Sequence, residues 1–319
     1  MLAFATRPSL RHLPVGAFAI VMGVAGTARA WALASTVLGV PSWVGAVLAW
    51  FAFGIFLTLL GAYAAKAVLH SDAVLAEARH PVRGAFVATI PVSALVLAAA
   101  MPAGAHGAAA ALWWSGAVAM AATTLLIMRT WIADASVQQV HIHPAWFIPI
   151  VGNLAAPLAS IGPAWLAWYF FAVGLVFWIA LLPIVLTRLF IAGVIPPRLA
   201  PTLAILVAPP AVAALAWVRL GGAWDDPLAR VLVGVAAFHL GLLAVQAGSL
   251  RRVPFSLASW AYTFPIAAAA IVALAEVPAS GAPEWTGWAM LVVTSVVTGA
   301  LAFRTGQALA RRELFRPED

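Results

Sequence analysis

Ten stretches of this chain are long, apolar and almost free of charge, and no other feature narrows its folding options so far. They cover about 14–36, 43–69, 84–101, 109–130, 145–161, 164–190, 200–219, 227–248, 255–276 and 285–309. A helix crossing a bilayer needs about 20 such residues, with a range of roughly 17–25. The connections are short and rich in Gly, Pro, Ser or charge, as in LGVPS, MPAGAHG and ASIGP. Of 319 residues, 65% are hydrophobic and 8% charged, against roughly 25% charged in a soluble domain. Too few charges exist to coat a water-facing surface, so lipid is the main solvent. Closed β-barrels also span membranes, but on alternating strands of about 10 residues. The fold class read from these runs is all-α and integral to a membrane. Ten transmembrane helices form a single domain over residues 1–319, since no linker could separate two.

Charge then sets orientation. If the N-terminus is cytoplasmic, that side receives Arg7, Arg11, Lys66, Arg79, Arg83, Arg129, Arg188, Arg198, Arg251, Arg252, Arg304, Arg311, Arg312 and Arg316. The other side receives Arg219 and Arg230, beside Asp225 and Asp226, while Arg29 falls inside the first span. The positive-inside rule therefore predicts both termini in the cytoplasm. The net charge of +7 is dispersed between spans, so nucleic acid is not an expected partner. Cysteine is absent, which excludes disulfides and thiolate metal sites, and no cofactor is expected. Arg in place of Lys, with abundant Ala, reads as a GC-rich bacterial genome, which places the chain in a bacterial inner membrane. Arg7, Arg11, His12 and then Ala28-Arg29-Ala30 have the outline of a signal peptide. Apolar character resumes at once through Leu38, so the segment is read as a retained first span.

The odd-numbered spans share a second feature. The third carries Pro91 (FVATIPVSALVLA), the fifth Pro149 and Pro157 (FIPIVGNLAAPLA), the seventh Pro209 and Pro210 (LAILVAPPAVAALA), and the ninth Pro265 (WAYTFPIAAAAIV). The first has Gly16, Gly23 and Gly26 instead. Among even spans only the sixth has an internal proline, Pro183. A mid-helix proline removes a backbone donor and kinks the helix, which is tolerated at membrane depth where protein or water re-satisfies the freed groups. The predicted arrangement is five helical hairpins around a quasi-fivefold central pore, with kinked odd helices inside and straight even helices facing lipid. The plainer alternative is that Pro and Gly are simply common in transmembrane helices.

PVGAFAIVMGVAG at 14–26, HPVRGAFVATIP at 80–91, HPAWFIPIVGN at 143–153, RLAPTLAILVAPPAV at 198–212 and VPFSLASWAYTFPIA at 253–267 resemble the tellurite-resistance/dicarboxylate transporter family. That family includes TehA-like proteins and the plant slow-type anion channels. The resemblance covers nearly the whole chain. It implies ten helices, a pore formed by the odd ones, passage of small inorganic or carboxylate anions, and a homotrimer. It also implies that Phe264, in YTFP, is the phenylalanine that plugs the pore. Arg29 departs from the pattern, since an aliphatic residue is expected at its position.

A phenyl ring before a proline is biased off the helical path and at a constriction would block hydrated ions by sterics and dewetting; ordinary packing is the alternative. No Asp or Glu lies within the pore-side stretch of an odd span, and Arg83, Arg198, Arg251 and Arg252 mark a basic mouth that would favour anions. Arg29 either draws anions from the outer side or snorkels to the interface. Thr89, Ser93, Asn153, Ser259 and Thr263 are pore-lining candidates, with helix–helix hydrogen bonds as their other use. His141 and His143 stand two apart, which does not share a helix face, so they read as a loop. His239 reads as a satisfied bundle histidine. An anion channel is thus the leading expectation. A proton-coupled exporter of dicarboxylate, sulfite or tellurite is the alternative. A membrane enzyme is disfavoured, since no cluster of His, Asp, Glu or Cys shares a depth.

Overall fold

A computed structural model describes residues 9–133 and 138–311; Arg7, Arg312 and Arg316 of the basic set lie outside the described residues. The apolar runs form α1 (Val15–Val37), α2 (Ser42–Leu69), α3 (Arg83–Ala100), α4 (Ala103–Ala133), α5 (Pro144–Ala159), α6 (Ala164–Ile191), α7 (Pro197–Arg219), α8 (Pro227–Val245), α9 (Leu257–Ser280) and α10 (Glu284–Ala310). A short helix, Ser71–Arg79, joins α2 to α3. No strand occurs among the described residues. Nine of these helices are long and apolar enough to cross a membrane, and α5 is the shorter one.

The five odd helices do not start as α-helices. Each opens on a 3-10 segment and then relaxes: Val15–Phe18 in α1, Arg83–Ala88 in α3, Pro197–Val207 in α7 and Leu257–Tyr262 in α9. In α5, 3-10 segments Pro144–Phe147 and Gly152–Ala159 flank one α turn, Ile148–Val151. This geometry explains how so short a segment can reach as far as its neighbours. A 3-10 helix rises about 2.0 Å per residue and an α-helix about 1.5 Å. The 4 plus 8 residues of 3-10 helix and 4 of α-helix in α5 therefore extend about 30 Å, roughly the hydrocarbon thickness.

Pro91, Pro149, Pro209 and Pro265 sit at these junctions, while Pro157 lies inside the 3-10 segment Gly152–Ala159. Pro91, Pro209 and Pro265 fall in the first turn of the α-segments Thr89–Ala100, Ala208–Arg219 and Thr263–Ser280, and Pro149 in that of Ile148–Val151. The backbone bonding pattern changes from 3-10 to α at these points, so a missing N–H disturbs less than it would inside a regular ladder, and the fixed φ of proline suits helical geometry.

Packing follows an alternation. Helix α1 contacts α2, α3, α9 and α10; α3 contacts α4 and α5; α5 contacts α6 and α7; α7 contacts α8 and α9; and α9 contacts α10. In the most apolar stretch of α1, α3, α7 and α9, 67% to 78% of residues are buried, against 22% to 33% in α2, α4, α6, α8 and α10. Large apolar side chains such as Phe51, Val118, Ile179, Phe238 and Val296 stand exposed on the even helices, a surface that water would not tolerate and lipid would. Exposed Trp43, Trp165 and Trp285 stand at the starts of α2, α6 and α10, as in the aromatic belt of a membrane interface.

Candidate functional site

The odd helices enclose three cavities that share walls. The first, of about 590 Å³, opens between the N-terminal ends of α1, α3, α7 and α9 and is lined by Arg83 and Arg198 among others. Ala19, Phe86 and Ala261 separate it from a central cavity of about 60 Å³. That cavity has apolar walls from all five odd helices, including Met22, Val92, Ile148, Val212 and Phe264. Val212 and Phe264 in turn separate it from an outer cavity, also about 60 Å³, lined by Gly26, Arg29, Val96, Leu158 and Arg219.

Phe264 owes its place to the junction it occupies. It is the second residue of the α-segment Thr263–Ser280, directly after the 3-10 turn. Opposite it, α1 presents glycine: a Cβ on Gly26 would stand 3.4 Å from Phe264 Cδ2 and 3.0 Å from Ala267 Cβ. One turn earlier, a Cβ on Gly23 would overlap the Thr263 side chain. Only a helix without side chains on that face can approach α9 so closely. Phe264 is half-buried while Thr263 and Pro265 on either side are buried, because cavities lie both above and below its ring.

The wide cavity carries a polar network that hydropathy does not reveal. The helix Ser71–Arg79 brings Glu77 to its wall, so a carboxylate does reach the mouth, delivered by a connection. Glu77 Oε2 accepts from Lys66 Nζ at 2.8 Å and from the Tyr63 hydroxyl at 3.1 Å, while Oε1 accepts from the Val15 N–H at 2.8 Å. Lys66 Nζ also donates to the Leu13 carbonyl at 2.8 Å. Lys66 and Glu77 are 3% and 5% exposed, so the pair ties the start of α1 to the end of α2 away from water. Among the described residues the other ion pair is Arg11–Asp72. Its guanidinium holds the Asp72 carboxyl below the usual range.

His143 caps α5, accepting from the Ala145 N–H at 3.3 Å, and its ring stacks on Phe86 with centroids 6.0 Å apart. Burial pushes its pKa down to about 4, with Arg188 and His141 adding to the shift and a hydrogen bond to the Val82 carbonyl opposing it. His141 closes a short 3-10 turn in the same connection.

The polar candidates part company here. Thr89 lines the central cavity, though its hydroxyl faces the Val15 and Phe86 carbonyls at 3.0 and 2.7 Å. Ser93 donates to the Phe18 carbonyl at 2.9 Å, and Thr263 to Trp260 at 2.7 Å. Asn153 donates to Thr124 Oγ1 at 3.0 Å and to the Ile150 carbonyl at 2.9 Å. Ser259 accepts from the Ser256 N–H at 3.3 Å. Arg251 and Arg252 are exposed, on the turn before Val253 and Pro254 of the wide cavity's wall. His239 is buried on α8 with Nδ1 unpartnered. Arg219, counted in the sequence on the same side as Asp225 and Asp226, closes α7 and lines the outer cavity with Arg29. Asp226 accepts from Trp217 Nε1 at 2.9 Å and the Ala223 N–H at 2.8 Å.

Comparison with known proteins gives one consistent result. The model of the SLAC1 family, described as voltage-dependent anion channel, matches residues 12–306. The S-type anion channel SLAH2 of Arabidopsis thaliana is 30% identical over 334 residues, covering 98% of this chain and 62% of the plant protein. Its relative SLAH3 is 29% identical, with 98% and 51% covered. The tellurite resistance protein TehA homolog of Haemophilus influenzae is 26% identical, with 95% of this chain and 93% of that protein covered. This chain thus spans somewhat over half the length of the plant relatives.

Proposed function

Since this chain belongs to the SLAC1 family of voltage-dependent anion channels, we propose that it passes small anions along the axis of its odd helices and that Phe264 is the gate. The proposed architecture is five hairpins around a quasi-fivefold pore, in a bacterial inner membrane with both termini cytoplasmic, assembled as a homotrimer. The odd-helix contacts run from α1 through α3, α5 and α7 to α9 and back to α1, which supports the ring.

One observation carries the gate. Phe264 and Val212 are the wall common to the central and outer cavities, so an ion on the axis must displace or pass the ring. The central cavity offers no charge, and an apolar constriction of this kind resists hydrated ions by dewetting. At the wide end, Arg83 and Arg198 raise the local concentration of anions, while Glu77 is neutralised by Lys66. Among the described residues lining the three axial cavities Glu77 is the only carboxylate, which favours uncoupled passage over proton-coupled export.

The test is Phe264→Ala in planar bilayers. Conductance rises well above wild type, and the reversal potential follows a chloride gradient whether or not a pH gradient is imposed. Currents equal to wild type would overturn the gate. A reversal potential that moves with pH would overturn the uncoupled reading.

A further inference from the structure

We propose that Arg29 and Arg219 form a resident binding site for one small inorganic anion on the outer side of Phe264. The proposal rests on the axial cavities being the anion route, and it adds a station to that route.

Arg29 of α1 and Arg219 of α7 line one cavity of about 60 Å³. Arginine cannot shed its charge in a protein, so both stay cationic however they are buried. Neither is paired: among the described residues the ion pairs are Arg11–Asp72 and Lys66–Glu77. Asp226, in the loop after Arg219, is committed to Trp217 and the Ala223 N–H. The rest of the wall is apolar, with Gly26, Val96, Leu158, Leu215 and Ile271 among its members. Arg29 is half-buried and sits inside the bundle on this cavity instead of on the lipid face. The two like charges repel each other, and a charge at membrane depth, as Arg29 is, is costly unless partnered. A bound anion removes both penalties at once.

The dimensions admit a small ligand. A water needs roughly 10–15 Å³ of such space, so this cavity has room for a halide or a trigonal oxyanion such as nitrate together with a few waters. The planar forks of two arginines match the in-plane oxygens of a small oxyanion. The ring of Phe264 forms the floor, so an anion held here waits directly against the gate.

The experiment uses the purified full-length chain in detergent and measures Tm as sodium nitrate or sodium chloride replaces sodium gluconate at constant ionic strength. Nitrate and chloride raise Tm of the wild type. Arg29→Leu and Arg219→Gln each abolish the rise, and Arg29→Lys retains part of it. In a Phe264→Ala background, Arg29→Leu raises the nitrate concentration for half-maximal current by about tenfold. An unchanged nitrate-dependent rise in both Arg29→Leu and Arg219→Gln overturns the site, even if Phe264→Ala conducts. An arginine-dependent rise together with a silent Phe264→Ala channel upholds the site and removes the gate. Arg219→Gln, at an exposed position, decides the matter if Arg29→Leu does not fold.

Discussion

Helices α9 and α10 are consecutive, in contact and equally apolar, yet 67% of the most apolar stretch of one is buried against 22% of the other. Hydropathy says that both prefer lipid to water and nothing about which faces it. The difference lies in side-chain size. Ala267 to Ala270 let α1, α7 and α10 approach α9 on several sides, while α10 opens with Trp285 and Trp288 turned outward. Small residues trade side-chain contact for backbone proximity, which is how helices associate where the solvent is itself apolar. The same contrast separates α1 from α2 and α7 from α8.

The largest expected effect tests where that contrast stops. Lys66 closes an otherwise outward-facing helix, and its partner Glu77 is on a connection, yet both are buried. Glu77→Ala strands a buried ammonium and should cost about 3–5 kcal/mol, whereas the double variant Lys66→Met, Glu77→Leu should cost much less. Thermal unfolding in detergent ranks them. If Glu77→Ala unfolds like wild type, the outer hairpin elements contribute only hydrophobic surface.

Next comes the end of an inner helix. The native fold keeps His143 neutral, with its pKa depressed from 6.5 to about 4. The unfolded chain therefore takes up a proton first as pH falls, and stability present above about pH 6.5 is lost progressively down to about pH 4. A shift of that size corresponds to at most about 3 kcal/mol. His143→Asn, which keeps a capping acceptor, should flatten the decline of Tm over that window. A wild-type slope in the variant would locate the titration elsewhere.

These two sites also show how far the chain could be read in advance. The apolar runs were legible because a span must exclude charge over its whole length, and the kinship of the odd helices because proline leaves a visible mark. The direction of a side chain leaves no such mark. Ser93 and Thr263 have the polarity of pore-lining groups, but their hydroxyls donate to Phe18 and Trp260 carbonyls. Arg219 shows the reverse, since a charge near Asp225 and Asp226 looks compensated, yet Asp226 is bonded to Trp217 and the Ala223 N–H. Nor could composition reveal the 3-10 openings, where proline enters a first turn instead of breaking a helix.

Glycine gives a smaller and more local contrast. Gly23 of α1 abuts Thr263 so closely that a Cβ would overlap it, while Gly54 of α2 has nothing within 4 Å. Gly23→Ala should destabilise by about 1–3 kcal/mol through overpacking. Gly54→Ala should be neutral or stabilise by up to about 1 kcal/mol, since alanine is the better helix former. Equal Tm changes for the two would mean that the inner contact is looser than its geometry.

The smallest effect concerns proline and should differ in sign between the two classes. Pro265 lies in the first turn of its α-segment, directly after the 3-10 segment Leu257–Tyr262, where the backbone bonding pattern changes. Replacing it by alanine mainly loosens the unfolded chain, a loss of about 0.4–1 kcal/mol. Pro183 lies inside the long α-helix of α6, where proline removes an i to i−4 bond and crowds the preceding turn. In lipid that missing bond has no water to replace it, so Pro183→Ala should stabilise, by about 1 kcal/mol after the surrounding helix relaxes. Paired Tm measurements on the two variants read the sign directly. Should Pro265→Ala stabilise as well, the inner prolines are breaks in continuous helices, and the 3-10 openings do not account for them.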